Sequence, residues 1–246
     1  NVYVLAGGES LPSNLAYAPT VISGAGSNGQ AGDSLADAGD LDGDGTSDLV
    51  LYGELAARLF FGPLPSGATT DDADATFGSG LDTNLEFAGP GDVGGDGRGD
   101  LVIGTYGGGV GGEVYLFEAV VAGDRTISSA DATWVHEQGG AAFGSSVGGA
   151  GDVNRDGFAD VVMGAPADDE YGSGTGAAFL ALGPMSGKHP VTDTEAVFFG
   201  EAPDSNAAQA VGGVGDLNGD GADDFAVSSM IGHDTDFWAG TLTILQ

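Results

Sequence analysis

The chain of 246 residues sets five basic against 37 acidic side chains, a formal charge of −32. That repels phosphate backbones and anionic lipid surfaces, arguing against nucleic acid as a partner and against membrane insertion. Cysteine is absent, which removes disulfides, thiolate metal sites and cysteine nucleophiles together, and no apolar run approaches the roughly 18 residues of a membrane span. The 48 glycines follow no collagen-like period. Set among short apolar runs they predict short strands joined by tight turns, with almost no helix.

The opening residues, NVYVLAGGES, lack the basic n-region and long apolar stretch of a secretory leader. NVYVL reads as one strand and APTVIS, from Ala18, as another. At Gly39 a distinctive unit begins: GDLDGDGTSDLVLYG. It returns as GDVGGDGRGDLVIG from Gly91, GDVNRDGFADVVMG from Gly151 and GDLNGDGADDFAVSS from Gly215. The leading aspartates, Asp40, Asp92, Asp152 and Asp216, lie 52, 60 and 64 residues apart. A glycine-rich run precedes each acidic cluster and a buried-type strand such as Asp100-Leu101-Val102-Ile103 follows it. A third run comes next: RLFFG at Arg58, EVYLF at Glu113, AAFLALG at Ala177 and TLTIL at Thr241. A fourth precedes the next unit, as ADATF at Ala73, ADATW at Ala130 and EAVFFG at Glu195. Four short strands per repeat predict an all-β fold, a β-propeller of four-stranded antiparallel blades. Residues 1–246 would supply four to five blades of one propeller domain or segment.

Numbered from its first aspartate, each acidic loop carries oxygen side chains at positions 1, 3 and 5, glycine at 6, a usable carbonyl at 7 and aspartate at 9. Alternate oxygen ligands around a sharp glycine turn suit a hard cation with six to eight oxygen ligands, and favour calcium over magnesium, which keeps more water. The candidate ligands in loop 40–48 are Asp40, Asp42, Asp44 and Asp48 with the Thr46 carbonyl; in loop 92–100, Asp92, Asp96 and Asp100 with that of Arg98. Loop 152–160 offers Asp152, Asn154, Asp156 and Asp160 with the Phe158 carbonyl. Loop 216–224 offers Asp216, Asn218, Asp220 and Asp224 with that of Ala222. Up to four calcium ions are expected. The first loop, with four carboxylates, should bind most tightly; the second has Gly94 at position 3, leaving water to fill in. An EF-hand would place a bidentate glutamate at position 12, where this chain has Leu51, Ile103, Met163 and Val227. The bland alternative is an Asx-rich turn without metal.

Other motifs carry less. Arg98-Gly99-Asp100 spells a recognition tripeptide, but Asp100 is also position 9 of a loop and should point inward. Gly144-Ser145-Ser146-Val147-Gly148 fits G-x-S-x-G without the helix that a nucleophile elbow needs. The G-x-G-x-x-G at Gly24 to Gly29 likewise lacks a helix N-terminus to present to phosphate. His136, His189 and His233 form no metal-spaced pair. Trp134, Trp238 and Tyr171 could stack on sugars or fill blade interfaces.

FGSSVGGAGDVNRDGFADVVMGAP, Phe143 to Pro166, resembles the FG-GAP repeat of integrin α-subunit propellers and their bacterial relatives, supplying Phe-Gly, acidic loop and Gly-Ala-Pro in order. The other units depart at the last element, with LYGEL, IGTYG and SSMIG. The resemblance implies a seven-bladed architecture, of which this chain would be a segment. A smaller closed ring, or a second chain completing the blades, stays open. It also implies a non-catalytic, calcium-stabilised extracellular propeller for adhesion, engaging a protein or glycan ligand at a surface. A carbohydrate-binding or polysaccharide-processing domain on the same scaffold is the alternative, and a spacer in a long surface protein a third reading.

Overall fold

The computed structural model describes residues 1–5, 14–24, 31–53, 56–78, 84–107, 111–230 and 240–245. Nearly every regular element is a strand. β1 (Val2–Val4) and β2 (Thr20–Ile22) form an antiparallel ribbon. The first full sheet contains β3 (Ser34–Gly39), β4 (Asp48–Gly53), β5 (Ala56–Phe60) and β6 (Ala75–Phe77). The second has β7 (Leu85–Gly91), β8 (Asp100–Thr105) and β9 (Glu113–Phe117). After the short β10 (Gly123–Arg125) it is completed by β11 (Ala132–Val135). The third has β12 (Ser146–Gly151), β13 (Asp160–Ala165) and β14 (Ala177–Ala181), then β15 (Gly187–Pro190), then β16 (Ala196–Phe199). A fourth sheet holds β17 (Val211–Gly215), β18 (Asp224–Ser229) and β19 (Thr241–Leu245). This is the blade-like arrangement predicted from the repeat: consecutive strands pair antiparallel within each sheet.

The fourth sheet has three strands among the described residues, and two others exceed the four-stranded expectation. β10 pairs parallel with β6 of the preceding sheet, and β15 pairs parallel with β11, making both sheets five-stranded. A lone parallel bridge, Ser23 to Thr69, repeats the pattern at β2. The outer strands β6 and β11 would otherwise present a row of unpaired amides and carbonyls, and the connection between third and fourth strands of the following blade covers each. These connections then turn through one 3₁₀ turn each, at Thr70–Asp72, Ile127–Ser129 and Val191–Asp193.

Packing between successive sheets explains the continuous apolar runs. Strands buried on both faces need no polar alternation, and alternate residues of β8 have different destinations. Leu101 and Ile103 join Val50, Leu59 and Phe77 of the first blade, while Val102 joins Trp134, Val161, Met163 and Phe179 toward the third. Val162 and Leu180 continue the stack to Phe225 and Val227, and Val2 and Ile22 cover Leu51 and Phe60 at the other end. Along the inner strands, β3, β7, β12 and β17, backbones approach too closely for side chains. A Cβ on Gly149 would sit 2.6 Å from Pro90 Cα, and one on Gly213 2.6 Å from the Gly149 carbonyl oxygen. That is why glycine gathers there. Among the described residues no helix is long and apolar enough to cross a membrane.

Candidate metal centre

The four acidic loops lie between the first and second strands of the four blades, each entered through a register shift in the inner strand, as between Gly149 and Gly151. Position 6 is left-handed throughout, with φ near +90° at Gly45, Gly97, Gly157 and Gly221, a conformation that penalises any residue with a Cβ. There the amide turns back to the first aspartate: Gly45 N–H donates to Asp40 Oδ2 at 2.9 Å, Gly97 to Asp92 at 2.8 Å, Gly157 to Asp152 at 2.9 Å and Gly221 to Asp216 at 2.8 Å. The position-5 carboxylates Asp44, Asp96, Asp156 and Asp220 accept the position-7 amides of Thr46, Arg98, Phe158 and Ala222. Asn154 and Asn218 accept the position-5 amides at 3.0 and 2.8 Å. All four loops therefore share one backbone path, with acidic oxygens gathered around it.

Position 9 is the buried anchor. Asp48, Asp100, Asp160 and Asp224 are each at most 3% exposed, and each accepts the position-2 amide, from Leu41, Val93, Val153 and Leu217 at 2.7–2.9 Å. Asp48 and Asp160 spend their other oxygen on the amides of Gly62 and Gly183, just past the third strand. Asp100 does not. Its Oδ1 is buried without a hydrogen bond of ordinary geometry, although the Ala119 amide lies near enough to pull its pKa down. Burial dominates there, pushing the Asp100 carboxyl up to about 6. Burial likewise raises Asp48 and Asp160 against the pull of their backbone donors, with the neighbouring loop aspartates adding to the rise.

Only in the first loop, among the described residues, do three carboxylates bring oxygens within 4.8 Å of one another: Asp40, Asp42 and Asp48. Asp44 lies outside this trio. The third and fourth loops have an amide where the trio has Asp42, and the second has Gly94. The donors are all oxygen, as a hard cation of high coordination number requires; three carboxylates crowd together in the trio, and at Asp100 one buried oxygen has no hydrogen bond of ordinary geometry. The residues fit calcium.

The loops are also chained. The position-8 amide of each following loop donates to the first-aspartate carbonyl of the one before: Gly99 to Asp40 at 2.8 Å, Ala159 to Asp92 at 2.9 Å and Asp223 to Asp152 at 3.1 Å. The Arg98 side chain lies over Gly43, and the Phe158 ring over Gly95. Arg155, at position 4 of the third loop, pairs with Asp220 of the fourth.

A family model described as FG-GAP repeat matches residues 143–180. The chain carries an FG-GAP repeat. The match spans the third unit from Phe143 through its acidic loop to Leu180 in β14. Because the other three loops reproduce the hydrogen bonds of the FG-GAP unit, the acidic clusters from Asp40, Asp92 and Asp216 are its structural counterparts.

The remaining motifs resolve differently. Asp100 is buried, so Arg98-Gly99-Asp100 is no exposed recognition tripeptide. His136, buried at 4%, was not singled out by the sequence as half of a pair. Its Nε2 donates to Asp168 Oδ2 at 2.7 Å and its Nδ1 accepts the Gln138 amide at 3.1 Å. Burial raises the Asp168 carboxyl, but the His136 contact and the Glu170 amide outweigh it and leave it low. With both ring nitrogens engaged, the imidazole has none left to activate Ser145. Trp134 fills the core, whereas Tyr171 stacks on Phe199 at 4.6 Å, both rings largely exposed. Trp238, His233 and the glycine motif beyond Gly24 lie outside the described residues.

Proposed function

We propose that the chain is part of a non-catalytic, calcium-stabilised propeller that works outside the cell in adhesion or ligand binding, with calcium mainly structural. The observation that carries this reading is the four-fold recurrence of one oxygen-lined loop, with Asp40, Asp42 and Asp48 converging in the first. In each loop three or four like charges repel unless a cation bridges them. The match to the FG-GAP repeat supports a propeller of the adhesion and ligand-binding kind, and the acidic, cysteine-free composition is compatible with it.

A metal that binds only the folded state adds RT ln(1 + [L]/Kd), about 2.7 kcal/mol per site at a hundredfold excess over Kd. Several occupied sites would rival a typical domain's whole margin of about 5–15 kcal/mol. EGTA should therefore lower the melting temperature sharply, and calcium should restore it. An unchanged melting curve would sink the reading.

One observation favours a glycan ligand over a protein one. Phe199, which stacks on Tyr171, lines a crevice of about 520 Å³ between β16 and β19, together with Glu201, Ser229 and Thr241 among others. Exposed aromatic faces beside polar groups suit sugar rings, and a glycan array tests the point.

A further inference from the structure

The second loop lacks a position-3 side chain, yet the space is filled. A Cβ placed on Gly94 would lie 2.8 Å from Glu118 Cδ, 2.9 Å from Oε2 and 3.1 Å from Oε1. The Glu118 carboxylate thus occupies the volume where a position-3 aspartate would put its own. Glu118 comes from the residue directly after β9, not from the loop. Its counterparts after β5 and β14 are Phe61 and Leu182. The alignment is structural: Phe61 N–H donates to Asp74 at 2.8 Å and Glu118 N–H to Asp131 at 2.9 Å, each thirteen residues on. Within this one chain the two positions trade chemistry. Where position 3 is Asp42 or Asn154 the post-strand residue is apolar; where it is Gly94 the post-strand residue is acidic.

A second feature of the same loop points to a ligand. Asp100 is 1% exposed and its Oδ1 is the one position-9 oxygen among the described residues that is buried without a hydrogen bond of ordinary geometry, the Ala119 amide being the donor beside it. Of the charges acting on Glu118, that of Asp100 is the strongest, followed by Asp131, Asp96 and Asp92. A carboxylate moved into the field of four others, beside a buried oxygen that only a poorly aligned amide approaches, is poorly placed unless a cation joins them.

We infer that Glu118 supplies the missing side-chain oxygen of the second loop, so that this site is completed by the connector after the third strand. The inference rests on the calcium reading above. It removes the vacancy at Gly94 that the loop sequence alone suggests, and makes the second site as rich in carboxylates as the first.

The test monitors the position-6 amides, one per loop, by two-dimensional NMR of the whole chain during titration with calcium. In the wild type Gly97 should respond along with Gly45, Gly157 and Gly221. Glu118→Gln should weaken the Gly97 response on the order of tenfold and leave the other three midpoints in place. Gly94→Asp combined with Glu118→Leu writes the pattern of the first and third loops into the second, and should return the Gly97 midpoint to within about threefold of wild type. Gly94 has no left-handed φ, so aspartate is admissible there once Glu118 is shortened. An unchanged Gly97 midpoint in Glu118→Gln would overturn the inference, as would a double variant that folds but does not regain binding. If Glu118→Gln did not fold, the double variant would decide alone. No response at any of the four glycines would instead refute the calcium reading itself.

Discussion

The first and second acidic loops share a backbone path and differ in how their charge is held. In the first, Asp42 fills position 3, three carboxylates converge, and Asp48 has both oxygens bonded to amides. In the second, position 3 is glycine, Asp100 keeps one buried oxygen without a hydrogen bond of ordinary geometry, and a glutamate from another connection leans over the gap. The difference teaches that a loop's own side chains do not define its site. The connection leaving the third strand takes part as well, through the Gly62 amide in one blade and the Glu118 carboxylate in the next.

The largest effect that would break this comparison comes from the anchors. Asp48→Ala strands the Leu41 and Gly62 amides beside a buried cavity, and each unsatisfied buried amide costs about 1–3 kcal/mol. Asp100→Ala also strands two amides, Val93 and Gly94, but it removes a carboxylate that burial already penalises. In EGTA, Asp48→Ala should therefore lose about 2–4 kcal/mol and Asp100→Ala clearly less. Denaturant melts of both proteins measure this, and equal losses would mean that the poorly bonded Asp100 oxygen carries no penalty.

Most of the blade was legible in sequence because its signals are local. The acidic loop and its glycine turn recur within nine residues, and runs such as Asp160-Val161-Val162-Met163 announce strands buried on both faces. The parallel strands β10 and β15 were not legible: Gly123–Arg125 and Gly187–Pro190 are polar, broken by glycine or proline, and pair only because the previous blade offers an open edge. Nor was the His136–Asp168 contact, which joins residues 32 apart. Glu118 was written in the sequence, as an acid where two sister repeats have Phe61 and Leu182, but its meaning needed the approach to Gly94. Loop ligands succeed one another along the chain; a ligand from another strand end becomes visible only when the sheet is formed.

A smaller effect sharpens the contrast through pH. Asp100 has its folded pKa raised to about 6, against about 3.9 in an unfolded chain. A carboxyl raised on folding favours the fold while protonated. Its contribution is complete below about pH 4 and is lost as pH rises through about 6. Asp48 and Asp160 are shifted in the same direction. Asp72 and Asp220, held low chiefly by backbone amides, titrate below this window. In EGTA the protein should gain about 1–2 kcal/mol between pH 7.5 and pH 5, and Asp100→Asn should remove much of that gain. With calcium present the slope should flatten or reverse, since the metal then neutralises the same carboxylates and protons compete with it. A calcium-free protein that loses stability steadily from pH 7.5 to 5 would contradict the dominance of burial at Asp100.

The smallest effect concerns position 4, where the loops again part company. Gly43, Gly95 and Gly219 adopt φ of +76° to +80°, and Arg155 alone among the four carries a side chain there, at φ +63°. A non-glycine residue in the left-handed region costs about 1–3 kcal/mol unless its surroundings compensate. Arg155 has compensation of one kind only, an ion pair with Asp220 on the next loop, both partners half-exposed. Exposed pairs of this sort contribute little and fade with salt. Arg155→Gly relieves the backbone and gives up the pair, so the two terms nearly cancel and the net change should stay within about 1 kcal/mol. Salt separates them. At low ionic strength the lost pair weighs most; at high salt it is screened and the variant should become the more stable protein. Thermal melts at low and high salt read the sign directly. A wild type that remains more stable at every ionic strength would show that Arg155 holds the third loop to the fourth by more than its charge.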